Sequence, residues 1–211
     1  MNNNYYDPNY LLLNKKYSIL ENIIDLNLQN LIKNNLLENV NDEKNFPWYF
    51  NEFTVPKGYK NDKGFKNFIV KDRPQFTHSF FTYNDDKRSS NNNSTYSFLI
   101  NEILNNFYEK TKVKKMNILR AKANLHIGNK DKKNEILHPH LDFLDVKDYY
   151  IFLYYANDSD GDTILFDEKK NVMVKVKPKQ GNILFAKGDI LHTGCYPTKN
   201  NVRCLINIDL K

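Results

Sequence analysis

The chain has 211 residues, with 31 Lys and Arg against 25 Asp and Glu, a formal net charge of +6. That length suggests one domain, residues 1–211, and is enough to bury a sizeable core. The basic excess is modest and spread along the chain, so a solvated mixed-charge surface is expected and a nucleic-acid partner is only weakly supported. Cys195 and Cys204 cannot build a disulfide framework and read as reduced thiols, which points to a cytoplasmic setting. Met1-Asn2-Asn3-Asn4 shows no signal pattern, and no apolar run approaches the ~18 residues of a membrane span, so no membrane partner is expected. Nothing in the sequence reports an oligomeric state.

In chain order, residues 1–16 have no clear period. From Ser18 to Val40, Ile19, Leu20, Ile23, Ile24, Leu28, Leu31, Ile32 and Leu36 recur at three- and four-residue steps, which predicts an amphipathic helix. Phe46-Pro47-Trp48-Tyr49-Phe50 is a dense aromatic cluster, more suited to anchoring the N-terminal segment than to stacking bases. Pro56 to Lys66 is loop-like. Arg73 to Phe81 reads as a strand, with His78 a core or pocket-wall residue. Asp85 to Ser94 reads as a polar loop, and Thr95 to Thr111 as a second helix capped near Ser94.

From Lys115 the period changes to two. Met116, Ile118, Arg120, Lys122 and Asn124 alternate with Asn117, Leu119, Ala121, Ala123 and Leu125. Strands are expected around 136–143, 149–157, 162–167, 171–177, 182–186, 189–194 and 202–210, separated by turn signals such as Asp160-Gly161 and Pro178-Lys179-Gln180-Gly181. Helices followed by many short strands predict a mainly β protein with flanking helices (α+β) and a double-stranded β-helix, or jelly-roll, core. Residues 1–115 would pack on that core as a helical and aromatic segment, and residues 116–211 would form it.

The chemistry concentrates at His140-Leu141-Asp142. Residues two apart in a strand share a face about 6.6 Å apart, so this imidazole and carboxylate can take neighbouring positions on one metal. His192 is the obvious third ligand. Two His and one carboxylate with open positions are the ligand set of non-haem Fe(II) oxygenases. Arg203 follows His192 across a turn at Pro197 to Asn201. If the flanking strands fold back on each other, its planar guanidinium enters the same pocket, suited to a carboxylate. Tyr155 and Asn207 share faces with this site and can add hydrogen bonds.

Competing readings stay open. His138-Pro139-His140 fits the His-x-His of a cupin binding Mn, Zn or Ni, or a metal-binding jelly roll without turnover. Asp158, Asp160 and Asp162 fit a hairpin turn better than a calcium loop. Cys195 is either reactive or a small buried residue. His126 reads as solvated, in a loop.

Taken together, His140-Leu141-Asp142, Tyr155-Ala156-Asn157, Gly161-Asp162-Thr163-Ile164-Leu165-Phe166, Pro178-Lys179-Gln180-Gly181, His192 and Arg203 resemble the 2-oxoglutarate- and Fe(II)-dependent dioxygenases, prolyl 4-hydroxylase-like branch. The likeness runs over residues 116–210. Phe46-Pro47-Trp48-Tyr49, His78-Ser79-Phe80-Phe81 and Asn124-Leu125 also resemble small oxygenases of phages and viruses, which would make the compartment a host-cell cytoplasm. Asp162 departs from the family's second Gly, and no Tyr precedes His140 where relatives bind the cosubstrate, a role Asn124 can take.

The resemblance implies a hydroxylase. Its expected metal ligands are His140, Asp142 and His192, holding Fe(II). Arg203, assisted by Tyr155, Asn207 and Asn124, would bind 2-oxoglutarate, with O2 as co-reactant and ascorbate as accessory reductant. A peptide or protein substrate, a prolyl residue foremost, comes first, then a nucleic-acid base, then a small metabolite. Loops 56–72, 84–94 and 126–136 would select it.

Overall fold

The computed structural model describes residues 5–12, 15–38, 45–55, 63–84, 89–130 and 135–211. After a short 3-10 turn at Pro8–Leu12 come β1 (Tyr17–Leu20), α1 (Leu26–Leu37), β2 (Tyr49–Asn51), β3 (Ile69–Val70), β4 (Gln75–Asn84), β5 (Ser89–Asn92) and α2 (Ser97–Thr111). The second half is all strand: β6 (Ile118–Ile127), β7 (Glu135–Ile136), β8 (Tyr150–Tyr155), β9 (Thr163–Phe166), β10 (Val172–Val176), β11 (Ile183–Lys187), β12 (His192–Gly194) and β13 (Val202–Leu210).

An eight-stranded sheet runs in the order β1-β11-β8-β13-β6-β4-β2, with β5 on the side of β4, and β10-β9-β12 form a three-stranded sheet. β1, β2 and β4, all from the first 115 residues, are hydrogen-bonded into the larger sheet. Its central strands are covered on both faces, which is why β8 is apolar almost throughout. One face packs Phe152, Tyr154, Phe185, Ile206 and Ile208 against Ile32 and Leu36 of α1 and Leu99, Ile103 and Phe107 of α2. The other packs Ile151, Leu153, Tyr155, Leu184, Ala186 and Leu205 against Leu165 of β9 and Val176 of β10. This is the jelly-roll core, mainly β with flanking helices, that the strand spacing predicts.

Four local expectations are corrected. The helix over Ser18 to Val40 begins only at Leu26. Tyr17–Leu20 is an edge strand on β11, and Asn22, in the left-handed region at φ 59°, interrupts the chain between them. Val40 lies outside the described residues. The polar stretch from Asp85 to Ser94 contains β5, paired to β4. β5 is largely exposed, so it lacks the apolar alternation by which a strand is recognised. Residues 85–88 lie outside the described part, as do 56–62 and 131–134 of the expected substrate loops.

The strand expected over 136–143 stops at Ile136 and resumes only as a single bridge from His140 to His192. Pro139 has no N–H to continue a ladder. Finally, the strands either side of Pro197 to Asn201 do not pair with each other. β12 joins β9 in the small sheet, whereas β13 lies between β6 and β8 in the large one. His192 and Arg203 therefore approach from opposite layers.

Candidate metal centre and anion pocket

His140 and His192 are joined through their backbones. The His140 N–H donates to the His192 carbonyl at 2.9 Å, and His192 returns the bond at 3.1 Å. This brings the imidazoles together, with centroids 4.8 Å apart and ring planes tilted by 49°. Each Nδ1 meets a backbone carbonyl, His138 O at 2.8 Å and Ile190 O at 3.1 Å. A carbonyl only accepts, so Nδ1 carries the proton and each Nε2 lone pair is free to bind a metal. The Asp142 carboxylate completes the group, and its Oδ2 lies 3.4 Å from His192 Nε2. One donor atom from each of His140, Asp142 and His192 lies within 4.8 Å of the others. His138 is not in this group, so among the described residues the donor set is two His and one carboxylate rather than a cupin's His-x-His.

Asp142 is held from behind. Arg120 Nη2 donates to its Oδ1, and Asn207 Nδ2 lies 3.2 Å from both oxygens. The same guanidinium reaches Asp209 Oδ2, at 2.9 Å from Nε and 2.8 Å from Nη2. Oδ1 is thus occupied, and Oδ2 is left on the side of His192. Burial pushes the Asp142 carboxyl up, but Arg120 and the two histidines outweigh it and hold it well below the carboxylate range. Burial beside Asp142 pushes Asp209 up to about 8. Burial and the neighbouring His192 lower His140 to about 4, the neutral state a metal requires.

Further along the same pocket lies Arg203, only 2% exposed. Its Nε donates to Gly161 O at 2.7 Å, its Nη2 to Thr163 Oγ1 at 2.8 Å, and its Nη1 lies 3.3 Å from His126 Nδ1. All three partners are neutral. Among the described residues no carboxylate lies within ion-pair distance of this buried cation. Tyr155 Oη donates to the same Thr163 hydroxyl at 2.9 Å. Gly161 is needed here: a Cβ would sit 2.6 Å from Cys195 O and 2.9 Å from Arg203 Cδ. Between the two ends the pocket is lined by Leu153, Leu205, Asn124 and Lys122.

The site residues expected from sequence fall as follows. His140, Asp142, His192 and Arg203 line one pocket or its metal group, and Tyr155 adjoins Arg203 through Thr163. Asn207 donates to Asp142, while Asn124 lines the wall. His126 is corrected: it lies on β6, is 4% exposed and faces Arg203. Its burial, with Arg203 and Lys122 nearby, drives its pKa well below the usual range. Arg120, Lys122 and Thr163 were not singled out from the sequence. The signal was present, because Arg120, Lys122, Asn124 and His126 occupy alternate positions of one strand. Burial pushes the Cys195 thiol up to about 11, which argues against a reactive thiolate. Both Cys are free. Asp160 serves the turn, accepting from the backbone N–H groups of Thr198, Lys199 and Asn200.

Whether the pocket suits the expected ligands is tested by its orphaned atoms. Asn124 Oδ1, His126 Nε2 and Asn207 Oδ1 are buried without a hydrogen-bond partner, and all three residues line it. Native interiors rarely tolerate such a cluster unless something polar fills it. The donor triad at one end would suit a metal, and the guanidinium at the other a carboxylate.

No family model and no curated protein sequence matches the chain. Solved structures do. A 2OG-Fe(II) oxygenase family oxidoreductase from Burkholderia pseudomallei superposes with a TM-score of 0.64 at 13% identity, over 95% of this chain and 88% of that one. A prolyl hydroxylase from Trichoplax adhaerens, in complex with a hypoxia inducible factor oxygen degradation domain peptide, gives 0.56 at 12%, over 95% and 86%. A viral collagen prolyl hydroxylase from Paramecium Bursaria Chlorella virus-1, in its 2OG complex, gives 0.53 at 15%, over 95% and 98%. The chain therefore has the fold of the 2-oxoglutarate Fe(II) oxygenases.

Proposed function

We propose that the protein is a non-haem Fe(II) dioxygenase that couples oxidative decarboxylation of 2-oxoglutarate to hydroxylation of a substrate C–H bond. One observation carries this reading beyond the fold: Arg203, buried with neutral partners only, ends a pocket whose other end is His140, Asp142 and His192. A buried guanidinium without an anion is costly, and a ligand carboxylate relieves that cost. His140, Asp142 and His192 would hold the iron, which with 2-oxoglutarate and O2 supplies the oxidising chemistry. Arg203 would pair with the distal carboxylate of the cosubstrate, and Thr163, shared with Tyr155, would fix the guanidinium. Asn124 and His126 offer polar atoms along the way, and Leu153 and Leu205 keep water from the interior. Asn207 and Arg120 would orient Asp142.

For the substrate, a peptidyl group, a prolyl residue foremost, is the leading reading. It is supported by neighbours of the same fold that are prolyl hydroxylases, one of them solved with a peptide. A small molecule is second, since a carbocyclase from nogalamycin biosynthesis shares the fold at a TM-score of 0.57. The test is succinate release from 2-oxoglutarate, dependent on Fe(II) and O2, followed by screening peptides for the mass gain of one oxygen atom. His192→Ala and Asp142→Asn, the latter keeping an acceptor for Arg120, should abolish succinate release while leaving the melting temperature of the metal-free protein nearly unchanged. Wild-type succinate release in either variant would overturn the reading.

A further inference from the structure

Lys122 is the charged residue of the pocket for which the reading above has no use. It lies on β6 between Arg120 and Asn124, opposite Asn207 on β13 and Ser79 on β4. It lines the same pocket as His140 and His192. The two carboxylates near it, Asp142 and Asp209, are both taken by Arg120, and Asp142 also by Asn207. Among the described residues Lys122 has neither a hydrogen bond nor an ion pair. Burial next to Arg120 brings its ammonium down to about 8 against the pull of Asp142 and Asp209, and the residue is half-buried, with part of its surface left to solvent.

Arg120 engages both carboxylates of this end of the pocket, so Lys122 is the cation of the β6 row left without an ion-pair partner among the described residues. Arg203 sits opposite His126, four residues along β6 from Lys122 and therefore about 13 Å away. The backbones of the two cations thus enter the pocket at separate stations of the sheet. On its other side Lys122 faces Ser79, which is exposed, at the point where a bulge shifts the β4 register between Ser79 and Phe81. Bulges of this kind re-aim side chains beside active sites. Lys122 therefore shares the pocket with His140 and His192 on one side and borders an exposed position of the sheet on the other.

We propose that Lys122 is a substrate-recognition residue whose ammonium pairs with a carboxylate on the molecule being oxidised, close to the C–H bond presented to the metal. In a peptide, that carboxylate is an acidic side chain or a free C-terminus adjoining the modified residue. This rests on the oxygenase reading of the same pocket.

The experiment uses the full chain loaded with Mn(II) and 2-oxoglutarate, without O2. Two matched probe pairs are added: N-acetylproline with its carboxamide, and N-acetylglutamate α-amide with N-acetylglutamine α-amide. Line broadening of the probe protons by the paramagnetic ion reports binding beside the metal without any turnover. The wild type should favour the carboxylate member of a pair by roughly 10-fold, the worth of one charge-assisted hydrogen bond. Lys122→Met should lose that preference while broadening of 2-oxoglutarate persists, and Lys122→Arg should keep it. Lys122→Gln serves if the Met variant does not melt as the wild type does. No preference in the wild type, or a preference that survives in both neutral variants, overturns the proposal alone. A neutral variant that loses 2-oxoglutarate affinity and keeps the probe preference assigns Lys122 to the cosubstrate and also overturns it. Absence of 2-oxoglutarate broadening in the wild type would bring down the oxygenase reading with it.

Discussion

Replacing Arg203 by Met separates a ligand-binding cation from a structural one. The guanidinium donates to Gly161 O and Thr163 Oγ1 and lies against His126 Nδ1, all neutral, and among the described residues no carboxylate is within ion-pair distance of it. Met fills similar volume without a charge. The substitution forfeits three hydrogen bonds but removes a buried cation without a counter-ion, and exchanges of this kind are often neutral or stabilising. The metal-free, ligand-free variant should therefore melt within about 4 °C of the wild type, equivalent to roughly 1 kcal/mol for a chain of this size. Binding of 2-oxoglutarate should behave differently. A guanidinium fork on a carboxylate makes two charge-assisted hydrogen bonds, each worth about 1.5–3 kcal/mol. Losing both predicts an affinity about 10²–10⁴-fold weaker. Calorimetry on Mn(II)-loaded protein measures the affinity, and scanning calorimetry on metal-free protein the stability. Lys at this position should recover part of the affinity, since charge remains and the fork is lost. Near-wild-type affinity in the Met variant, or a melting temperature lowered by 10 °C or more, would refute the assignment.

Three further outcomes follow from the same geometry. Arg120→Lys keeps a charge behind Asp142 but cannot fork between Asp142 and Asp209, so Mn(II) affinity by spin-resonance titration should fall about 10–100-fold; unchanged affinity would count against a positioning role. Gly161→Ala drives a methyl into Cys195 O and Arg203 Cδ, so it should weaken 2-oxoglutarate binding while leaving Mn(II) affinity intact, and calorimetry separates the two. Burial depresses His126, and likewise His140 to about 4. Their unfolded forms titrate near 6.5 and take up protons first, so this stability is fully present above that pH and is lost as pH falls toward the folded values. Urea unfolding of metal-free protein should show a lower free energy at pH 5 than at pH 7.5, and His126→Asn should flatten the difference.

The sequence carried the parts of this site that sit on regular strands. Arg203, Asn207 and Tyr155 are placed by alternation, and both buried faces of the large sheet follow from it. It carried less where pairing is irregular or remote. His140 and Asp142 were expected on a strand, yet Pro139 breaks the ladder and the two imidazoles meet through one backbone bridge. No local period reveals such a bridge, because its partner is a strand of another sheet. Arg203 was expected to reach the pocket by a hairpin from β12, whereas it arrives from the opposite layer. The pocket prediction survived the wrong route because both routes bring the same two faces inward. Arg120 escaped notice for a different reason: an Arg in an alternating strand reads as surface until Asp209, far along the chain, is known to be buried opposite it.

The mismatch in sheet width explains why a pocket exists at this place. Three strands cannot cover eight. Where β9 and β10 lie over β8 and β11, the inner residues are apolar: Ile151, Leu153, Leu184 and Ala186, whereas on β13 Leu205 stands between Arg203 and Asn207. On β6 the inward row becomes Arg120, Lys122, Asn124 and His126, and on β4 it includes Gln75, which lines the pocket. Polar groups at these depths cost free energy unless partnered. Arg120 finds its partners in Asp142 and Asp209, whereas Lys122, Asn124 Oδ1 and His126 Nε2 find none among the described residues. An all-apolar row would seal this half of the sheet against solvent but could neither hold a dicarboxylate nor present a charge to a substrate. The polar row keeps the pocket open to ligand, and α1 and α2, packed on the opposite face, supply the apolar burial that holds the sheet together beneath it.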